Sequence, residues 1–160
     1  MRLKDIIVED FINYKHPAMF LITAECDWKC CKENGMNVSV CQNSSLASSP
    51  TKEIPDNIIY NTFVQNDITD AVVVGGLEPF LQFDELIKLI ELFRDNGEEC
   101  DFVIYTGYNP QEIQYEVSEL SKYKNIIIKY GRYIPSSPSR YDEILGVKLA
   151  SDNQFARRIS

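Results

Sequence analysis

The chain has 160 residues, of which 44% are hydrophobic, and a formal net charge of −8. This length suits one domain, and the hydrophobic fraction is enough for a packed core, which excludes a disordered coil. The negative surface repels phosphate backbones and disfavours nucleic-acid binding. The sequence turns acidic at Asp5 and has no apolar run long enough to span a bilayer, so we expect a cytoplasmic protein without a signal peptide or membrane contact.

Strands and helices are predicted to alternate along most of the chain. Met19–Thr23 is a short apolar run typical of a buried strand. The region from about 25 to 56 lacks periodicity, and a loop of this length in a compact domain is usually functional or disordered; its cysteines favour a functional loop. The pattern then predicts, in order, a short helix at Ile58–Gln65, a strand at Asp70–Val74, a helix at Phe83–Asn96, a strand at Phe102–Thr106, a helix at Pro110–Tyr123, a strand at Asn125–Tyr130 and a last strand within Ile144–Leu149.

This alternation predicts an α/β fold built from right-handed βαβ units, with a mostly parallel sheet. Ligands of such sheets bind beyond the carboxyl ends of the strands. Those ends carry Cys26, Gly75–Glu78, Thr106–Tyr108 and Tyr130–Arg132. The unusual residues of the chain therefore converge on one edge of the sheet, where we expect the functional site.

Cysteines mark the irregular region most clearly. Cys26, Cys30 and Cys41 lie within it, Cys31 directly follows the second of them, and the total of five argues against a full set of disulfides. In a reducing compartment, clustered thiols are more often metal ligands. Three thiolates can hold an iron–sulfur cluster and leave one iron open, whereas structural zinc usually takes Cys-x-x-Cys pairs, which this chain lacks. Spacing alone leaves iron–sulfur, zinc and no metal as alternatives, and Cys100 is expected to be a buried hydrophobic residue.

These residues resemble the radical S-adenosylmethionine (SAM) enzymes, and among them the small activating proteins of anaerobic ribonucleoside-triphosphate reductase and related glycyl-radical enzymes. That family carries Cys-x-x-x-Cys-x-x-Cys followed by His-Asn. Cys26–Cys30 matches the first half, and Cys41–Asn43 is similar to the third cysteine and its tail, with Gln42 in place of His. Ten residues separate Cys30 from Cys41 where the family has two. This difference is either an insertion at Lys32–Val40 or the replacement of one ligand by Cys31.

The resemblance continues outside the cysteine loop. In this family a Gly-Gly-Glu motif meets the amino group of the methionine moiety. Gly75–Glu78 is similar to that motif, with one residue added. Two glycines let a ligand approach the backbone, and a carboxylate pairs with an ammonium. Ile104–Tyr108 resembles the end of the family's third strand. Gly131–Ile134 and Leu149–Gln154 resemble the Gly-Arg-Phe and Ser-Ser-Asn-Gln segments of reductase activators.

The resemblance implies a single radical-SAM-like domain over residues 1–160, folded as a small incomplete (βα) barrel, with the cluster loop at about 25–56. It implies that Cys26, Cys30 and Cys41 bind a [4Fe-4S] cluster whose open iron takes S-adenosylmethionine. No side chain is assigned a catalytic role. The residues implied to bind S-adenosylmethionine are Gly75, Gly76, Glu78, Thr106, Ser151 and Asn153.

The implied activity is reductive cleavage of S-adenosylmethionine to methionine and a 5′-deoxyadenosyl radical. The radical would abstract hydrogen from a glycine of a partner such as anaerobic ribonucleotide reductase, and a flavodoxin or ferredoxin would donate the electron. One alternative is a degenerate iron–sulfur or zinc scaffold that carries electrons without cleaving S-adenosylmethionine. Another is a related enzyme that acts on a small molecule or a different polypeptide.

Overall fold

A computed structural model describes residues 1–160 and has a mixed α/β architecture. The strands are β1 (Arg2–Asp10), β2 (Ala18–Thr23), β3 (Lys52–Glu53), β4 (Ala71–Gly75), β5 (Asp101–Tyr105), β6 (Ile126–Tyr130), β7 (Arg140–Asp142), β8 (Val147–Leu149) and β9 (Phe155–Arg158). The helices are α1 (Lys29–Glu33), α2 (Ser44–Ala47), α3 (Asp56–Val64), α4 (Phe83–Asp95) and α5 (Gln114–Leu120). Short 3₁₀ helices cover Val38–Val40, Pro79–Gln82 and Pro110–Glu112.

Seven of the strands form one sheet in the order β3-β1-β2-β4-β5-β6-β9, and β7 pairs with β8 in a separate hairpin. The pairs β2–β4, β4–β5 and β5–β6 are parallel, as the βαβ pattern predicts. The antiparallel strands β1 and β9 flank this parallel centre. The sheet is open, because its edge strands β3 and β9 do not pair with each other. The incomplete barrel implied by the resemblance stays a prediction.

The core has two parts because the sheet is covered on both faces. On one face, α3 and α4 pack over the sheet, and Leu86, Ile90 and Phe93 of α4 are fully buried at helical spacing. On the other face, a smaller apolar cluster contains Val73 of β4 and Leu145 near the C-terminus. Burial on both faces explains why the central strands are continuous apolar runs.

The strands and helices predicted from apolar periodicity are confirmed to within a few residues, with two corrections. The helix expected at Pro110–Tyr123 begins as a 3₁₀ helix, and α5 covers only Gln114–Leu120. The strand expected within Ile144–Leu149 begins at Val147, because a turn closed by the Gly146 amide and the Asp142 carbonyl precedes it. No strand was predicted for β1, β7 or β9, so the strand expected to be last is followed by another, and the cluster loop contains α1, α2 and β3.

The parallel strands position the site. The strands β2, β4, β5 and β6 end at Thr23, Gly75, Tyr105 and Tyr130, so the loops that follow them meet at one edge of the sheet. The cysteine loop follows β2, and the Gly-Gly turn follows β4. Separately, none of the helices combines the length and apolar character that a membrane crossing requires.

Candidate metal centre

The first two candidate ligands lie on a tight turn after β2. The Sγ atom of Cys26 accepts a hydrogen bond from the Trp28 amide at 3.4 Å. Trp28 has a left-handed backbone with φ of 62°, and the next residue begins α1. Since Cys30 lies in the first turn of α1, this reversal holds both cysteines at the start of the loop. Cys41 follows directly after the 3₁₀ helix at Val38–Val40.

Cys26, Cys30 and Cys41 are partly exposed, and all are free thiols. Burial raises the pKa of Cys26 to about 11 and that of Cys30 to about 12, and the neighbouring thiols Cys31, Cys41 and Cys26 act on Cys30 in the same direction. The three thiols are therefore near enough to oppose one another's ionisation. A bound cation reverses this, since metal coordination deprotonates a thiol.

The structure brings the three cysteines to one edge of the sheet but does not gather them, or any other three acidic, cysteine or histidine side chains, into a metal-binding group. The donor set nevertheless fits an iron–sulfur cluster in its chemistry, because it consists of soft sulfur ligands on one loop. Cys31 differs from these three, since only 1% of it is exposed. Cys100 packs against the main core but is only partly buried, which is less than the full burial expected.

Arg132 fastens the end of α1 to the rest of the site. It is 6% exposed, and its guanidinium donates to both carboxylate oxygens of Glu112 at 2.6 Å and to the Gly107 carbonyl at 2.8 Å. It also donates to Glu33, the last residue of α1, at 2.9 Å. The hydrogen bonds from Arg132 lower the pKa of Glu112 to about 2. Charge-assisted bidentate pairs of this kind are among the stronger polar contacts in proteins.

Two further side chains of the same stretch are fixed. The Lys29 Nζ atom lies 3.2 Å from Glu112 Oε1 and 4.4 Å from the centre of the Tyr108 ring. The Tyr108 hydroxyl donates to Asp27 Oδ2 at 2.8 Å. We call Glu25–Glu33 the clamped segment, because its Asp27, Lys29 and Glu33 side chains all bind the loops that follow β5 and β6.

Glu78 is a buried carboxylate at this edge, with 5% exposure. It accepts hydrogen bonds from the Thr106 hydroxyl at 2.7 Å, the Gly107 amide at 3.0 Å and the Phe80 amide at 3.2 Å. Burial raises the pKa of Glu78 to about 7, although these three hydrogen bonds act in the opposite direction. Its own amide donates to the Glu25 carbonyl at 2.8 Å, which joins it to the clamped segment.

The two glycines before Glu78 lie in tight backbone packing. A Cβ atom on Gly75 would lie 2.9 Å from Tyr105 Cβ, and one on Gly76 would lie 2.8 Å from Ile22 Cγ2. Gly76 also has a φ of +80°, which residues with side chains rarely adopt. Both positions therefore require glycine for the fold itself, whatever ligand they meet.

Ser151 and Asn153 lie next to the clamp. The Asn153 side chain donates to the Arg132 carbonyl at 2.9 Å, and the Ser151 hydroxyl donates to the same oxygen at 3.4 Å. They thus fix the backbone of the loop after β6. Their direct contact with a cofactor stays a prediction, as it does for the Gly75, Gly76, Glu78 and Thr106 positions.

A family model described as "4Fe-4S single cluster domain" matches residues 18–154, which is most of the chain. The chain belongs to the 4Fe-4S single cluster domain family. This family is found in radical SAM activating proteins. No curated protein and no solved structure matches the chain. Among the metals that the spacing left open, family membership therefore supports a [4Fe-4S] cluster.

In this 4Fe-4S single cluster domain, the third cysteine lies in a stretch of different character. We call Asn34–Thr51 the neutral segment, since it has no charged residue, and none of its residues is buried. Val40, next to Cys41, is 52% exposed. A cleft of about 500 Å³ is lined by Trp28 and by residues of this segment: Val38, Ser39, Ser44, Ser45, Ala47 and Ser48.

Few polar contacts connect the neutral segment with the rest of the domain. The Asn43 side-chain amide donates to the Gly76 carbonyl at 2.5 Å, and Lys4 Nζ donates to the Ala47 and Ser49 carbonyls at 3.0 and 2.6 Å. Sequence reasoning assigned no role to Asn43 or to the Arg132 side chain. Asn43 could have been found from the sequence, because it lies in the Cys41–Asn43 tail of the motif.

Proposed function

We propose that this protein binds S-adenosylmethionine at an open iron of its [4Fe-4S] cluster and cleaves it reductively. The observation that carries the proposal is the set of three partly exposed thiols at the carboxyl edge of a parallel sheet, in a chain that matches the cluster family over residues 18–154. When bound and reduced, the cluster supplies one electron, and the carbon–sulfur bond of S-adenosylmethionine breaks to give methionine and a 5′-deoxyadenosyl radical.

Exposure separates the ligands from the remaining loop cysteine. Cys26, Cys30 and Cys41 are partly exposed, whereas Cys31 is the buried residue of α1. A ligand must reach the metal with its sulfur atom, so burial disfavours Cys31. We therefore assign the cluster to positions 26, 30 and 41 and keep the longer loop as an insertion between the second and third ligands.

The residues beside the cysteines would hold the methionine part of S-adenosylmethionine. Glu78 is the carboxylate we assign to the ammonium group, because it lies at the same edge and its charge acts on Cys26. Thr106 and the Gly107 amide fix its orientation by hydrogen bonds. Ser151 and Asn153 would act nearby by holding the loop that contains Gly131 and Arg132.

The neutral segment supports a protein substrate. Interface cores are depleted in charged residues, and Asn34–Thr51 has none although 25% of the chain is charged. The segment carries Cys41 and is exposed, so a partner that covers it would also cover the cluster and keep water from a radical. We propose that the partner is a glycyl-radical enzyme of the anaerobic ribonucleotide reductase type, with a flavodoxin or ferredoxin as electron donor.

The test is S-adenosylmethionine cleavage by protein reconstituted with iron and sulfide under anaerobic conditions. With dithionite as reductant, we expect 5′-deoxyadenosine and methionine in equal amounts, and the Cys41→Ala variant is the matched control. The long Cys30–Cys41 spacing is the observation that favours a scaffold which carries electrons. A protein with a full cluster that forms no 5′-deoxyadenosine would establish that alternative and overturn the proposal.

A further inference from the structure

A lysine lies buried on the face of the sheet opposite α3 and α4. Lys129, in β6, is only 7% exposed. In the register of β5 and β6 it lies opposite Tyr105, whose Cβ lies 2.9 Å from where a Cβ on Gly75 of β4 would be. Lys129 is therefore part of a row across three strands that leads to the Gly-Gly turn of the site.

The ammonium group of Lys129 is incompletely paired. Its Nζ atom donates to the Gly131 carbonyl at 3.2 Å and lies 5.8 Å from the centre of the Tyr105 ring. An ammonium has three donors, and no carboxylate lies within salt-bridge distance of this one. Lys4, which is similarly buried, instead donates to two carbonyls.

Hydrogen bonds connect Lys129 with the site, because its carbonyl accepts from the Thr106 amide at 2.9 Å and the Thr106 hydroxyl donates to Glu78 at 2.7 Å. Burial lowers the pKa of the Lys129 side chain to about 8, and the charges of Glu78 and Cys30 act in the opposite direction. At neutral pH the side chain therefore remains mainly cationic. The ends of β5 and β6 and the buried Glu78 carboxylate thus meet beside one buried ammonium group.

Such a charge is a poor choice for folding alone. Burying an ammonium costs free energy unless an anion compensates it, and apolar residues of similar volume are often equally or more stabilising. A [4Fe-4S] cluster held by three thiolates is a net anion, and one-electron reduction makes it more negative. The attraction between a nearby cation and such a cluster would therefore increase when the cluster accepts an electron.

We propose that Lys129 stabilises the reduced cluster through its charge and so raises the cluster's reduction potential, an inference that rests on the proposed function. Lys129 acts through the field at the cluster and is not itself a ligand. The electron comes from an external reductant, which is oxidised by one electron, and no bond forms or breaks in this step.

The experiment is a redox titration of the reconstituted cluster, followed by electron paramagnetic resonance in the absence of S-adenosylmethionine. In Lys129→Met we expect the ratio of reduced to oxidised cluster at a fixed potential to fall about tenfold, which equals about 59 mV for a one-electron couple. Lys129→Arg should remain close to wild type. Lys88→Met, the same charge change at an exposed position of α4, should also leave the ratio unchanged.

Unfolding of the cluster-free chain separates this role from a structural one. Lys129→Met should unfold at the same temperature as wild type or higher, because it removes a buried charge. If the Met variant does not fold, Lys129→Gln removes the charge, keeps a donor for the Gly131 carbonyl and carries the same expected potential shift.

Equal potentials for wild type and the neutral variants would overturn the inference. So would an equal shift in Lys88→Met, or a variant that only weakens S-adenosylmethionine binding, since the ammonium would then serve the ligand. A wild-type protein that takes up the cluster but forms no 5′-deoxyadenosine would overturn the proposed function alone, because the potential difference would still be measurable.

Discussion

The two halves of the cysteine loop are held to the domain in different ways. The clamped segment, Glu25–Glu33, is attached through charged side chains, with Arg132 between two carboxylates. The neutral segment, Asn34–Thr51, has no charged side chain, and it meets the Gly-Gly turn through an Asn43 hydrogen bond and the apolar Leu46 side chain. The fold thus holds Cys26 and Cys30 on the clamped segment and leaves Cys41 on the exposed neutral segment. Under the proposed function, the clamped segment would fix two cluster ligands and the neutral segment would meet the partner.

Removal of any one cluster ligand should have the largest effect. We expect Cys26→Ala, Cys30→Ala and Cys41→Ala each to abolish S-adenosylmethionine cleavage, because three thiolates are the minimum set for this cluster. Cys31→Ala should be milder, since its side chain is buried and is not assigned to the metal. Iron content measures cluster binding in each variant, and 5′-deoxyadenosine formation measures cleavage. Full activity in Cys41→Ala would show that the neutral segment supplies no ligand.

The pH dependence of stability should report Glu78, which joins the clamped segment to β4. Its folded pKa of about 7 lies above the unfolded value of 4.5, so its contribution to stability is fully present below about pH 4.5 and is lost as pH rises towards 7. The shift corresponds to at most about 3 kcal/mol. Urea unfolding of the cluster-free chain at several pH values between about 5 and about 7.5 measures this change in the free energy of unfolding.

Glu78→Gln is the variant that isolates this contribution. The amide does not ionise, so the free energy of unfolding should lose the part of its pH slope that comes from Glu78. Glu53→Gln, an exposed position in β3, should keep the wild-type slope. Parallel slopes in all three proteins would contradict the assignment of a raised pKa to Glu78.

Loss of the hydrogen bonds from Arg132 should lower the free energy of unfolding by a smaller amount. Arg132→Met removes the charge-assisted hydrogen bonds to Glu112 and Glu33, and we expect the free energy of unfolding to fall by about 2 kcal/mol. Limited proteolysis should then cut the clamped segment faster than in wild type. Cleavage confined to the neutral segment in both proteins would show that Arg132 does not hold α1.

The smallest effect on stability is expected at the neutral segment. Asn43→Ala removes one hydrogen bond to the Gly76 carbonyl and should cost about 1 kcal/mol. The main effect of Asn43→Ala should be a lower iron content after reconstitution, because Asn43 lies two residues from Cys41. Asn37→Ala, which loses a hydrogen bond within the same segment, is the control. Equal iron retention in the two variants would contradict a special role for Asn43.

The sequence predicts the parallel centre of the sheet because β-branched runs alternate with helical periodicity, as in Asp70–Val74 followed by Phe83–Asn96. It does not predict β1, in which charged and apolar residues alternate poorly, as in Lys4-Asp5-Ile6. The candidate ligands and the Gly-Gly turn could be found from motifs, since they are local.

The clamp and the buried cation could not be found in this way. Arg132 is 99 residues from Glu33, so their contact exists only once the sheet order brings the two loops together. Lys129 follows three isoleucines in a short strand, where an exposed position is the ordinary expectation for lysine. Its burial depends on which face of β6 is covered, and on this face the cover comes from distant residues such as Tyr14 and Leu145.

The most direct test of the central claim is Mössbauer spectroscopy of the iron-labelled, reconstituted protein with and without S-adenosylmethionine. Three thiolate ligands leave one iron to bind the added molecule, so we predict that one iron site of the cluster changes its spectrum while the others do not. A spectrum that S-adenosylmethionine leaves unchanged would contradict an open iron, and with it the proposed roles of the clamped and neutral segments.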